Sequence, residues 1–159
     1  MARRGKSLFS LSTLLASFFG AAMIAGAFAY FNYKFSEFKF IDFKEWIFYE
    51  KSDLFRPTAD RYVVVFYSSK KPDIIKVIKE AKSKYPILAV DYYQQSTAST
   101  KNVTFIRAGT KIILKFVQRF NIYDVPSVFI IKKVKESLYK QDSMIRILDR
   151  GKKLNLEGL

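Results

Sequence analysis

The chain has 159 residues, half of them hydrophobic, and a formal net charge of +14. It holds no cysteine and no histidine, which excludes disulfides, thiol redox chemistry, Cys/His metal sites and every nucleophile–histidine pair. Any enzyme reading must rest on Asp, Glu, Lys, Ser or Tyr, and the carboxylates show no paired spacing of glycosidase or metal-binding type.

The charge is uneven. Arg3, Arg4 and Lys6 precede an uncharged run from Ser7 to Tyr33, and all 14 acids lie beyond residue 34. The chain after that run carries 25 basic and 14 acidic residues. Such a surface suits nucleic acid, anionic lipid or an acidic partner, although lysines spread this evenly also describe an ordinary solvated surface.

Leu8–Phe31 is apolar and long enough to cross a bilayer, which takes roughly 20 residues. Tyr30, Phe31 and Tyr33 would sit at the far interface. The segment predicts a signal anchor between a short basic cytoplasmic tail (1–7) and a juxtamembrane linker (32–37). A cleaved signal peptide is the rival, since Ala27-Phe28-Ala29 has the form of a cleavage site; the apolar run is longer than such signals usually are. The crowding of Arg3, Arg4 and Lys6 favours an internal N-terminus. Ser12, Ala16 and Gly20, with Ala22 and Gly26, recur at four-residue spacing, a pattern that lets another membrane helix approach closely.

From residue 38 onward, strand-like and helix-like segments alternate. FKFIDF (38–43) reads as a short strand, and DFKEWIFYEKSDLF (42–55) as a helix capped by Asp42 and ended by Arg56-Pro57. YVVVFYS (62–68) is a buried strand. Pro72 opens a helix whose apolar stripe is Ile74, Ile75, Ile78, Ala81 and Tyr85, stopped by Pro86. ILAVDYY (87–93) is a second buried strand and QQSTASTKN (94–102) a mobile polar loop. VTFIR (103–107) suggests an extra short strand. TKIILKFVQRFN (110–121) is a helix capped by Thr110, burying Ile113, Phe116, Val117 and Phe120, with Asn121 at its C-terminal turn. PSVFIIKK (126–133) is a strand, ESLYKQ (136–141) its hairpin partner, and SMIRIL (143–148) either a strand or a short helix. Residues 149–159 read as a polar tail. The alternation predicts an α/β domain over residues 38–148 with partly parallel strands.

Three stretches make this domain resemble the thioredoxin fold, a central mixed sheet flanked by helices. VVVFYSSKKPD resembles the family's central strand and active-site loop. ILAVDYY resembles the following strand, which often ends in Asp, here Asp91. FVQRFNIYDVPSVFII resembles the signature that leads into a cis-proline, here Pro126 preceded by Val125. The resemblance implies that Lys70-Lys71-Pro72-Asp73 stands where redox members carry Cys-x-Pro-Cys. The proline is kept and both sulfurs are gone, so the family's oxidoreductase activity does not carry over. Two departures stand out: a longer interval before Pro126, with the surplus in 94–108, and no evident closing helix after residue 142, which would leave one sheet face less covered.

In the family, the cis-proline turn and the active-site loop form a surface that pairs with extended peptides. The resemblance therefore implies partner binding at Lys70, Lys71, Val125 and Pro126 without cysteines; the alternative is that Pro126 is only a structural turn. Lys70 can also be read as a Schiff-base or proton-transfer residue, which needs an apolar pocket. Aromatics interleaved with lysine over Phe31–Tyr49 suit interface seating or a core better than base stacking. The expected protein is a non-catalytic, single-pass membrane protein of a bacterial inner membrane with its domain on the periplasmic side. It would serve as an assembly or structural accessory subunit of an envelope machine, such as secretion or flagellar-motor machinery. It would contact membrane and periplasmic proteins, with no nucleic acid, small-molecule cofactor or metal. The alternatives are a non-redox enzyme using Lys70 and a docking module for a cysteine-bearing redox partner.

Overall fold

The computed structural model describes residues 10–148 and Leu156. It divides into two units, Met1–Phe38 and Lys39–Leu159.

The described part of the first unit is one helix, α1 (Leu11–Phe38). Ser10 caps it, its hydroxyl accepting the Thr13 N–H at 3.2 Å. Leu11–Phe31 is long and apolar enough to span a membrane, as either an anchor or a signal sequence would be. None of that span is buried; Phe18 is 72% and Met23 76% exposed. A helix with such a surface and no protein cover is not a core helix of a soluble domain. The helix continues through residues 32–38, so the expected juxtamembrane linker is helical. Residues 1–9, including the expected basic tail and the start of the span, lie outside the described residues.

The second unit is α/β. Its strands are β1 (Phe40–Asp42), β2 (Phe48–Glu50), β3 (Asp53–Leu54), β4 (Arg61–Tyr67), β5 (Ile87–Asp91), β6 (Val103–Ala108), β7 (Ser127–Lys133), β8 (Leu138–Gln141) and β9 (Arg146–Ile147). Helix α2 (Pro72–Lys79) joins β4 to β5, and α3 (Thr110–Phe120) joins β6 to β7. The sheet order is β1-β8-β7-β4-β5-β6-β2-β3, with β9 also on β7. β4, β5 and β6 are parallel, and β7 runs antiparallel to β4.

Alternation along the strands builds two cores. Tyr62, Val64 and Phe66 of β4 join Leu88, Val90, Phe129 and Ile131 under α3. Val63, Val65 and Tyr67 face the other way, with Ile87, Ala89, Val128 and Ile130 under α2. The α3 side is the larger and the more aromatic. Phe116 stacks on Phe66 at 5.5 Å and meets Phe120, Phe129 and Phe48 within 6.2 Å. Outside this face, Lys115 and Arg119 lie over the Trp46 ring at 4.5 and 5.6 Å.

Four local expectations change. The helix expected over 42–55 is a single turn followed by the β2–β3 hairpin. Asp42 does cap that turn: its Oδ1 accepts the Lys44 N–H at 2.9 Å and its carbonyl the Trp46 N–H at 2.8 Å. Beyond it, Phe48 is buried and Ile47 and Tyr49 are exposed, an alternation that β2 satisfies by pairing with β6. The 42–55 pattern carries helical spacing at Phe43 and Trp46 only; a distant strand supplies the rest. Helix α2 ends at Lys79 rather than running to Pro86, because the Ser83 hydroxyl takes the Tyr85 N–H and the Lys82 carbonyl takes that of Leu156. Gly109, not Thr110, is the N-cap of α3; the Thr110 hydroxyl instead accepts Gln94 Nε2 at 3.2 Å. The 94–102 loop is pinned, with Ser99 Oγ accepting the Phe105 N–H at 3.1 Å and the Thr100 N–H reaching the Val103 carbonyl at 2.8 Å.

Other expectations hold. Asn121 closes α3 in the left-handed region at φ 58°, β8 pairs with β7, and residues 146–147 are strand. The segment expected as an extra short strand over 103–107 is β6, laid parallel beside β5. On the α2 side, Leu148 packs at the margin and Leu156 is buried at 3% exposure, so part of the C-terminal tail covers the face expected to be barer. Residues 149–155 and 157–159 lie outside the described residues.

Phe116→Ala should cost about 3–5 kcal/mol in chemical denaturation, because the surrounding rings cannot close over the lost volume. Burial pushes the Tyr67 and Tyr139 hydroxyls up to about 12. Unfolded tyrosine ionises near 10, so their contribution is intact below pH 10 and lost as the pH climbs from there to about 12. Urea midpoints measured across that window should fall, and Tyr67→Phe should flatten the fall.

Candidate functional site

The parallel run of β4 and β5, with β7 antiparallel, brings three chain segments to one end of the sheet. These are the loop after β4 (Ser68–Lys71), the residues after β5 (Asp91–Gln95) and the turn entering β7 (Asp124–Pro126). The carboxyl ends of parallel strands are where open α/β sheets usually place a ligand.

The first loop is set locally. Tyr67 ends β4, the Lys71 N–H closes a turn onto the Ser68 carbonyl at 3.1 Å, and Lys71 is extended (φ −106°, ψ 94°), as the residue before a proline prefers. Pro72 then starts α2, with Asp73 in its first turn. The third segment is held by the Val125–Pro126 peptide, which is cis. Asp124 braces it: Oδ1 accepts the Val125 N–H at 2.7 Å, and the carbonyl accepts the Ser127 hydroxyl at 2.5 Å. On its other flank, the Pro126 carbonyl accepts the Leu148 N–H at 2.9 Å, so the chain's own β9 segment closes that side.

Asp91 ties the first two segments together. It is 1% exposed, and its carboxylate accepts three backbone N–H groups: Ser69 at 2.9 Å and Tyr93 at 3.2 Å on Oδ1, and Gln95 at 2.7 Å on Oδ2. A buried carboxylate needs such partners, and charge-assisted bonds of this kind are the stronger ones. With the Tyr92 N–H on the Tyr67 carbonyl at 2.8 Å, this fixes the Tyr92–Tyr93 pair, whose rings meet edge to face at 5.1 Å.

The four residues expected to form the site fall together at this end. Lys71 Nζ reaches the Val125 carbonyl at 3.5 Å, which joins the β4 loop to the cis-proline turn. Lys70 turns the other way and places Nζ over the Tyr93 ring at 4.3 Å. Both lysines are exposed, Val125 is half-buried and Pro126 is buried. Lys70 therefore stands in solvent against an aromatic face, not in the apolar pocket that a nucleophilic lysine requires. Tyr93, Asp124 and the bracing role of Asp91 were not anticipated from the sequence as site features. The available signal was an Asp-Tyr-Tyr terminating an otherwise apolar strand.

On α1, Ser12, Ala16, Gly20, Ala22 and Gly26 are all exposed, and nothing lies within 4 Å of where a side chain on Gly20 or Gly26 would begin. At about 100° per residue, Phe19 projects between the two small-residue series and Met23 within the arc of the first, so the small side chains do not make an unbroken groove. A depression of ≈ 570 Å³ lined by Lys51, Leu54, Arg56, Tyr62, Pro86 and Thr104, among others, lies at the opposite end of the sheet, away from these loops. No cluster of metal-ligating side chains occurs among the described residues.

Asp91→Ala should destabilise the protein by about 1–3 kcal/mol, because three part-buried N–H groups lose their acceptor. Amide hydrogen exchange at Ser69, Tyr93 and Gln95 should accelerate beyond the global change. Compared with models of known families and with curated proteins, the chain matches none.

Proposed function

We propose that this is a membrane-anchored, thioredoxin-like protein that has exchanged redox chemistry for binding, and that it serves as an accessory or assembly subunit of a membrane complex. The observation that carries the reading is the contact between Lys71 and the Val125 carbonyl. The loop and the turn that would frame a disulfide site are adjacent, but the frame holds Lys70 and Asp73 at the positions where redox members have cysteines.

Support comes from three directions. β4–α2–β5 is a parallel unit, and after β6 and α3 the strands β7 and β8 run antiparallel, with a cis peptide before Pro126; the reading draws support from this arrangement. Lys70 is solvated and π-stacked, which suits recognition better than covalent chemistry. The exposed apolar α1 needs lipid or another helix as cover. On this reading α1 anchors the chain in a bacterial inner membrane, the basic N-terminus stays inside, and the domain meets its partner on the periplasmic side.

A photo-reactive amino acid placed at Tyr93 of the full-length protein in its native membrane should capture one protein reproducibly, whereas the same group at Lys51, at the other end of the sheet, should not. Equal capture from both positions, or none, would remove the binding-module reading. A compartment reporter fused to the C-terminus should be active only on the periplasmic side.

A further inference from the structure

We infer that the partner segment held at this end of the sheet is acidic and extended, with one carboxylate that takes the Lys71 ammonium and another that meets Lys70. The inference rests on the binding-module reading above and specifies the chemistry of its partner.

It follows from an imbalance in how the charges are served. Two of the three carboxylates at this end already have backbone donors within the chain. Asp91 is satisfied by three backbone N–H groups, Asp124 by that of Val125, and Asp73 lies in the first turn of α2, where the helix amides favour an anion. The ammoniums are served poorly. Each carries three N–H donors, yet Lys70 meets a ring face and Lys71 a carbonyl at 3.5 Å, the outer limit of a hydrogen bond. Asp91 and Asp124 are engaged within the chain, while both ammoniums keep N–H donors for a partner.

The Lys71 contact also couples charge recognition to strand pairing. A carboxylate makes a stronger, charge-assisted bond with an ammonium than a carbonyl does at that distance. A partner carboxylate that draws Lys71 away uncovers the Val125 carbonyl, which can then accept a backbone N–H from the same segment. The Val125 N–H remains on Asp124, so the turn offers an acceptor and not a donor. An acidic residue next to a free N–H in an extended strand meets both demands. The rim suits such a segment: Tyr92, Tyr93 and Tyr123 are 42%, 43% and 81% exposed and offer apolar faces with polar edges of the kind that favours interfaces. The basic excess of the chain would speed the approach of an acidic partner.

The test uses full-length protein in uncharged detergent and fluorescent peptides of equal length alternating Val with Glu, Gln or Lys, read by anisotropy. The Glu peptide should bind at least about tenfold more tightly than the others, and added salt should weaken it. Lys70→Glu with Lys71→Glu should lower its affinity about tenfold or more, while Lys82→Glu with Lys84→Glu, an equal change in net charge, should leave it within about twofold. Equal loss in the two double variants would show undirected attraction to a basic protein and overturn the inference. So would tighter binding of an oligothymidylate than of the Glu peptide. If the Gln peptide binds as well as the Glu peptide and is displaced by Lys71→Glu, the acidic partner is refuted and the binding surface stands. If no peptide binds and photo-capture at Tyr93 also fails, both fall.

Discussion

The domain depends on strand β4. Its residues Tyr62–Tyr67 are buried on both faces, and both of its edges are paired, with β5 on one side and β7 on the other. A strand so enclosed must be largely apolar, and a polar group on it needs a partner, as the Tyr62 hydroxyl finds in the Thr58 and Ala59 N–H groups. From β4, the α3 core grows on one face and the α2 core on the other. It also determines where the chain delivers Ser68–Lys71, because a strand with no free edge or face can present function only at its ends.

At that end, Asp91 converts two loops into a platform. One buried carboxylate gathering N–H groups from residues 69, 93 and 95 removes freedom from two connections at once. The lysines therefore project from a braced base. Lys70 and Lys71 are adjacent in sequence yet diverge, one onto Tyr93 and one toward Val125, so the pair spans the width of the site.

On the proposed reading, the arrangement would let the domain work by binding, without sulfur. Sulfur chemistry needs two thiols at a helix start, whereas recognition needs only fixed donors, acceptors and exposed aromatic area. On that reading, lysine at the loop would keep a functional group at the helix start, with charge in place of electron transfer. As an anchor, α1 would add a local concentration: a module confined to a membrane meets a membrane-bound partner at high effective concentration.

Much of the fold was legible in the chain because burial leaves a local period. The apolar helix over Leu11–Phe31, the buried strands β4, β5 and β7, the amphipathic α3 and its Asn121 end could all be read from spacing and residue type. The 42–55 segment could not, because Phe43 and Trp46 mimic a helix while the residues that follow answer to β6; a partner more than fifty residues away leaves no mark on the local pattern. The candidate site divides in the same way. Sequence alone determined that the loop entering α2 carries Lys70, Lys71 and Asp73 and no thiol, since composition excludes cysteine outright. Only the tertiary structure decided that Lys71 meets Val125 across 54 positions and that Lys70 lies over Tyr93, because strand pairing, not chain proximity, sets which loops become neighbours.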